Sequence, residues 1–424
     1  MSKKYTVRKF VNDVHLWLGL ASGLVLFVVC LSGTIYTFRA EIERWMSPEK
    51  YYVQVEPNAV VLPADSLVAI MEKQLGGKVT GLQVPADAAM AWQISVKPKD
   101  KEAGRQQAGK DAGSPRKAAK QGGEKRGGET EVRPKTYFVN PYTGALTPGQ
   151  NDKGVSEFFT TVMQLHRWLL LDTDTGRVVV GIATLIFVFI IVSGLVLWFP
   201  AKMKNLKQGF KIKFKANWKR VNHDLHNALG FYASIFVLIM ALTGLCWSFE
   251  WYKDGASSVL GAKVFKGRSE KPLQSKLPAD STVAPASLAA ITATTDQNFT
   301  YSGDTRITLP ADKAGAVVVT RNKTGFFASA GADKLQLDRY TAAVLKLERF
   351  ADKPLNVKIA DSIKPLHTGE MFGAFSKIIY FLACLIATSL PVTGTLIWIN
   401  KMKKKPKNKV GRVTQQEAQP AVSV

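Results

Sequence analysis

Asn222-His223-Asp224-Leu225-His226-Asn227-Ala228-Leu229-Gly230-Phe231 stands where a basic segment gives way to an apolar one. Upstream, Lys202 to Arg220 holds eight Lys/Arg and no acidic residue. Downstream, Leu229 to Trp247 is almost wholly apolar. Two histidines therefore stand at the mouth of a membrane span, on its cytoplasmic side if basic loops stay inside. Their spacing of three puts His223 and His226 on one helix face.

The pattern occurs earlier in the chain. His15 precedes Gly19 by four residues and Gly33 by eighteen; His226 precedes Gly230 and Gly244 by the same offsets. Ser32-Gly33 answers to Thr243-Gly244. A second pair agrees within one residue: His166 before Ser193-Gly194 and Trp198, His367 before Thr393-Gly394 and Trp398. The spacing predicts an internal duplication, with all five histidines near span ends.

Four apolar runs reach the roughly 20 residues needed to cross a bilayer: Leu16–Phe38, Val178–Phe199, Leu229–Trp251 and Phe372–Ile399. Trp17, Trp198, Trp247 and Trp398 lie near their ends, as an aromatic belt would place them. The net charge of +24 is concentrated in three segments: before the first span, between the second and third, and after the fourth. All three fall on one side of a four-span topology, which predicts cytoplasmic termini and argues against nucleic-acid binding. The first span is too long for a signal peptide and lacks a small-residue cleavage site, so it reads as an uncleaved anchor. Cys30, Cys246 and Cys384 lie in the spans, so no disulfide framework is expected in the exported loops.

The expected order is then as follows: N-terminus and first span 1–39, exported domain 40–176, second span 177–200, basic cytoplasmic loop 201–222, third span 223–251, second exported domain 252–371, fourth span 372–400, basic cytoplasmic tail 401–424. In the first exported domain, Pro63–Leu75 reads as a helix and Lys78–Val84, Ala91–Lys97 and Thr136–Asn140 as strands. Residues 99–135, rich in Gly, Lys, Ala and Gln, have too little apolar content for a core and read as disordered. An amphipathic segment over Glu157–Leu171 carries His166. In the second domain, Pro285–Thr294 reads as a helix and Asp304–Leu309, Ala316–Arg321 and Gly325–Ala328 as strands. Leu337–Val344 aligns with Val139–Leu146, except that Ala342 stands where the first copy has Gly144.

Helix, strands and then an Asp/Asn-Pro-x-Thr-Gly-type turn, as at Asn140–Gly144, resemble the PepSY domain. Four spans with two such domains resemble the PepSY-associated transmembrane family, whose iron-regulated members include siderophore reductases, over roughly Tyr5 to Lys401. The expected fold is a membrane protein of four transmembrane helices, a duplicated two-helix unit with two small periplasmic α+β, PepSY-like domains. The resemblance implies two b-type haems in the bundle and reduction of ferric siderophores in the periplasm of a bacterial inner-membrane protein. No GxGxxG is present, so the electron donor is expected to be external, a cytoplasmic reductase or a quinol.

Ionisable groups at membrane depth point to function. Duplication would set His15 against His226 near the cytoplasmic side and His166 against His367 near the periplasmic side, as axial ligands of haem iron. Two imidazoles on one iron leave no site for dioxygen and favour electron transfer. Gly19 and Gly230 leave room for a flat macrocycle, or serve close helix packing. Arg167, Arg177, Lys364 and Lys377 are candidates to pair haem propionates, against the simpler reading of exposed basic residues. His223 is open to three roles: replacing His226 as ligand, touching a propionate, or taking a quinol proton. His223, Asp224 and His226 also allow a non-haem metal site.

Three functions follow. The first is haem-dependent electron transfer across the membrane to a ferric siderophore. The second is a membrane-anchored PepSY protein that binds peptides or regulates a protease without redox activity. The third, a metal transporter, is disfavoured because within the four apolar runs Glu250 is the only acidic candidate, and it lies at an end.

Overall fold

The computed structural model describes residues 5–98, 133–150, 154–266, 270–280 and 282–403. Most of the expected disordered insert 99–135, and the basic tail beyond Lys403, lie outside the described residues.

Four helices among the described residues are long and apolar enough to cross a membrane: α1 (Val7–Thr37), α5 (Thr173–Trp198), α6 (Trp218–Ser248) and α11 (Gly373–Met402). α1 and α6 begin nine and eleven residues before the apolar runs. Their starts are set by caps rather than by the onset of hydrophobicity. The Thr6 side chain accepts from the Lys9 amide, and that of Asn217 from the Arg220 amide. His15, His223 and His226 thus sit within helices, not at their mouths. The four helices form a ring in which α1 neighbours α5 and α11, and α6 neighbours the same two. α1 and α6 face each other on a diagonal. His166 and His367 lie on shorter helices, α4 (Gly154–Trp168) and α10 (Ile363–Thr368), packed on α1 and α6 respectively.

Outside the bundle, α2 (Arg39–Met46) and α7 (Glu250–Leu260) follow α1 and α6, and α9 (Leu355–Asp361) precedes α10. The sheet strands are β1 (Gly77–Val84), β2 (Trp92–Pro98), β3 (Lys135–Val139), β4 (Gly303–Thr308), β5 (Val317–Lys323), β6 (Ala332–Leu337) and β7 (Val344–Glu348). They form one antiparallel sheet of order β3-β2-β1-β4-β5-β6-β7. The two units outside the bundle, expected to be separate, therefore share a sheet, joined where Gly81–Val84 pairs with Thr305–Thr308. A Cβ at Gly81 would stand 2.9 Å from the Ile307 carbonyl oxygen, so only glycine lets the seam close. One core serves both units: Leu67 and Met71 of α3 (Ala64–Leu75) and Leu288 and Ile291 of α8 (Leu288–Asn298) cover the same face. Asp65 of α3 also accepts from the Leu288 and Ala289 amides at the start of α8. The expected strand at Gly325–Ala328 is instead part of the connection between β5 and β6. The alternating pattern belongs to Ala332–Leu337, and β7 was not foreseen.

The two aligned turns are built alike. Asn140 accepts at Oδ1 from the Tyr142 amide, and Asp338 from the Tyr340 amide, each at 2.9 Å. Ala342 takes a φ of 55° where Gly144 has 73°, so the substituted copy keeps the left-handed turn. Asp338 is buried and also accepts from the Lys276 and Thr341 amides and the Thr341 hydroxyl. Burial pushes its carboxyl up, but these donors outweigh burial and hold it below the usual carboxylate range. A carboxyl depressed in the folded protein stabilises above its unfolded pKa and ceases to as pH falls through its folded one. Asp338→Ala should therefore cost about 2–4 kcal/mol at neutral pH. The deficit should shrink below about pH 4, which thermal unfolding at pH 7 and pH 3 measures.

Candidate functional site

The helix ring brings four of the five histidines together as two pairs. The rings of His15 on α1 and His226 on α6 stand 6.5 Å apart between centroids, with planes at 89°. Those of His166 and His367 stand 6.1 Å apart, tilted by 56°. These are the pairs that the offsets set against each other.

Each imidazole is held at Nδ1 by a neighbouring helix. His166 Nδ1 lies 2.9 Å from the Val29 carbonyl oxygen and His367 Nδ1 2.9 Å from that of Met240. A carbonyl only accepts, so Nδ1 carries the proton in both rings. His15 Nδ1 lies 2.9 Å from the Ser193 hydroxyl and His226 Nδ1 2.9 Å from the Thr393 hydroxyl. Both hydroxyls donate to their own helices, Ser193 to Ile190 and Thr393 to Ser389 and Leu390. They too are left to accept from Nδ1–H. With Nδ1 engaged as the donor, Nε2 is the ring nitrogen left for a metal in all four imidazoles.

The Ser/Thr-Gly dipeptides turn out to be the seats of these rings. A Cβ at Gly194 would stand 3.2 Å from His15 Cε1, and one at Gly394 3.2 Å from His226 Cε1. At Gly33 and Gly244 the corresponding distances, to His166 and His367, are both 3.1 Å. The sequence marked these glycines as repeat markers only. Their role as seats was not visible, because each serves a histidine on another helix.

A cavity of about 740 Å³ surrounds the inner pair, within the range that holds a drug-sized ligand or cofactor. His15, Gly19, His226 and Gly230 line it, and Arg8, Lys9, Lys211, Arg220, His223 and Lys401 ring its outer end. A Cβ at Gly19 would meet nothing within 4 Å, so this glycine faces open space rather than a packed helix. Trp198 stacks on Phe231 at 3.8 Å along one wall. The Val29 carbonyl lies fourteen residues past His15, and that of Met240 fourteen past His226. At 1.5 Å per residue the two levels are about 21 Å apart.

His223 does not face His15. It is half exposed at the cavity mouth, with Nδ1 3.7 Å from the Asp224 carboxylate. That carboxylate is buried and engaged by Arg220 Nε at 2.8 Å and the Lys213 amide, so it stands as an ion pair. Among the candidates at the other level, Lys377 is buried, not exposed. Its Nζ lies 2.7 Å from Glu41 and 3.5 Å from Glu370, and so ties α2 to α11. Arg167 lies over the Trp168 ring, Lys364 is exposed, and Arg177 reaches Asp174 at 3.9 Å while its Nε is buried without a hydrogen-bond partner among the described residues.

An imidazole nitrogen bonds a metal at about 2 Å, which puts two rings on opposite sides of one ion about 6 Å apart between centroids. Both gaps have that width. Among the described residues no cluster of three or more His, Cys, Asp or Glu side chains could hold a metal ion.

No curated protein matches the chain. Residues 13–401 match the family described as the PepSY-associated TM region, a stretch that covers the second and third spans whole, nearly all of the first and fourth, the sheet and all five histidines. The chain is thus a membrane protein of the PepSY-associated TM region family.

Proposed function

We propose that this is a di-haem membrane protein that passes electrons from a cytoplasmic or quinol donor across an inner membrane to a periplasmic ferric siderophore. The observation that carries the reading is the two facing pairs of imidazoles, each with Nδ1 anchored and a gap of metal-bridging width. Haem b bound in each gap would supply a one-electron iron couple, the four remaining iron ligands coming from the macrocycle. His15 and His226 would hold the inner group, with Gly19 leaving open space beside it, whereas a Cβ at Gly230 would stand in ordinary contact with Leu390 at 3.7 Å. His166 and His367 hold the outer group. The Nδ1 anchors keep the rings from turning and make Nε2 the better donor. A haem held by two histidines, one from each of two helices, would supply electron transfer rather than oxygen activation. Reduction would then weaken a siderophore's hold, because hard oxygen ligands bind ferrous iron less well. We read the two halves as copies of one two-helix unit, since each supplies one histidine to each pair.

Purified protein should be red, with two haems per chain and a sharp reduced-minus-oxidised band. Folded, colourless protein would sink the proposal and favour the peptide-binding alternative. Orientation has its own test. With the basic segments cytoplasmic, reporters fused after Lys135 and after Lys313 should both read as exported; a cytoplasmic signal from either contradicts the topology.

A further inference from the structure

Residues 324–331, Thr-Gly-Phe-Phe-Ala-Ser-Ala-Gly, join β5 to β6 and contain no charge. Their backbone is fastened to the start of α11. The Ala330 amide donates to the Met371 carbonyl and the Phe375 amide to that of Phe326, both at 3.1 Å, and Ser329 bridges to Phe372. Gly373, with a φ of 60°, lets the two backbones touch: a Cβ there would stand 2.6 Å from the Gly325 carbonyl oxygen. The depth of this loop is therefore set by the first turn of a membrane-spanning helix.

Its side chains do not pack into the sheet. Phe326 and Phe327 are 52% and 68% exposed, and Phe372 and Phe375 beside them 53% and 43%. Phe326 and Phe327 lie 4.8 Å apart between ring centroids, and Phe375 lies 6.3 Å and 5.1 Å from them. These rings form one apolar patch, continuous with the lipid-facing surface of α11. Exposing four phenylalanines to water would be costly, and such patches mark a surface that is covered in use. At the mouth of a span, what covers them is lipid.

We infer that the β5–β6 loop is a membrane anchor, its phenylalanines seated about 5–10 Å into the boundary between headgroups and acyl chains. The anchor fixes the height of the sheet above the bilayer at a point six residues from His367. Sequence alone could not reveal it, because a run of Phe-Phe-Ala beside a strand reads equally well as core.

A fluorophore sensitive to polarity, attached at Phe327→Cys in the full chain reconstituted in phosphatidylcholine bilayers, tests this. Phe326→Cys serves as a second site. Lys313→Cys, in the turn at the opposite end of β5 and about 23 Å away along seven residues, is the control. The three native cysteines lie in the spans, and unsubstituted protein sets the background. Labels at 326 and 327 should emit at short wavelength and lose most of their intensity to lipids carrying a nitroxide near the headgroup, while the label at 313 does neither. Water-like emission from both 326 and 327, or equal quenching at 313, overturns the anchor.

Discussion

His226→Ala is expected to remove one haem of the two, and His15→Ala the same one. The rings of these residues face each other at 6.5 Å, so neither can hold iron in a six-coordinate site alone. His166→Ala and His367→Ala should likewise each remove the other haem. The unaffected group should survive in every case, because the levels are about 21 Å apart and share no anchor. All four variants should abolish reduction of an external ferric chelate, since electrons must pass both levels. His223→Ala should keep both haems and shift the potential of the inner one, for His223 is half exposed at the cavity mouth and bonds to neither pair. Haem quantification with redox titration of the five variants separates these outcomes. Loss of the same haem from His15 and His166 variants would show pairing within a half and refute the arrangement across the ring.

Gly244→Val is the second large effect. The Cβ alone would stand 3.1 Å from His367 Cε1 and 3.5 Å from Nδ1, and two further methyls have nowhere to go. The imidazole would have to leave the Met240 carbonyl, which keeps the Thr243 hydroxyl as donor, and would strand its own Nδ1–H at about 1–3 kcal/mol. The outer haem should be lost and the inner one kept, with Gly33→Val doing the same through His166. Thr393→Val is the milder counterpart at the inner level. It keeps the shape but removes the acceptor of His226 Nδ1–H, and haem affinity should fall about 10–100-fold. If Gly244→Val keeps a normal outer haem, the dipeptide is not a seat. Gly19→Leu probes the other kind of glycine: nothing lies within 4 Å of its Cβ position, so the protein should fold and lose inner haem only.

Much of this was legible in the sequence, because the physics behind it is local. Apolar runs of bilayer length, basic flanks and repeated His-Gly offsets each reside in one stretch of chain. Helix starts were misjudged where a cap, Thr6 or Asn217, lies well ahead of the apolar run. The choice between His223 and His226 needed the diagonal across the ring, which no single helix carries. The Nδ1 acceptors were hidden for the same reason: two are backbone carbonyls, Val29 and Met240, and a carbonyl has no signature in a sequence. The buried ion pair of Lys377 with Glu41 joins residues 336 apart, and a lone lysine at a span end gives no sign of it.

The shared sheet bears on how the chain is made. β1 finds β2 within a few residues, but its other neighbour, β4, lies more than 200 residues later, beyond two further spans. Until residues 305–308 emerge, β1 presents a row of unpaired amides and carbonyls to its surroundings. Such an edge invites pairing with other chains, and closing it late makes assembly slow. A first half made without the second is thus the point at which this protein is most exposed to aggregation, and the arrival of β4 ends that interval.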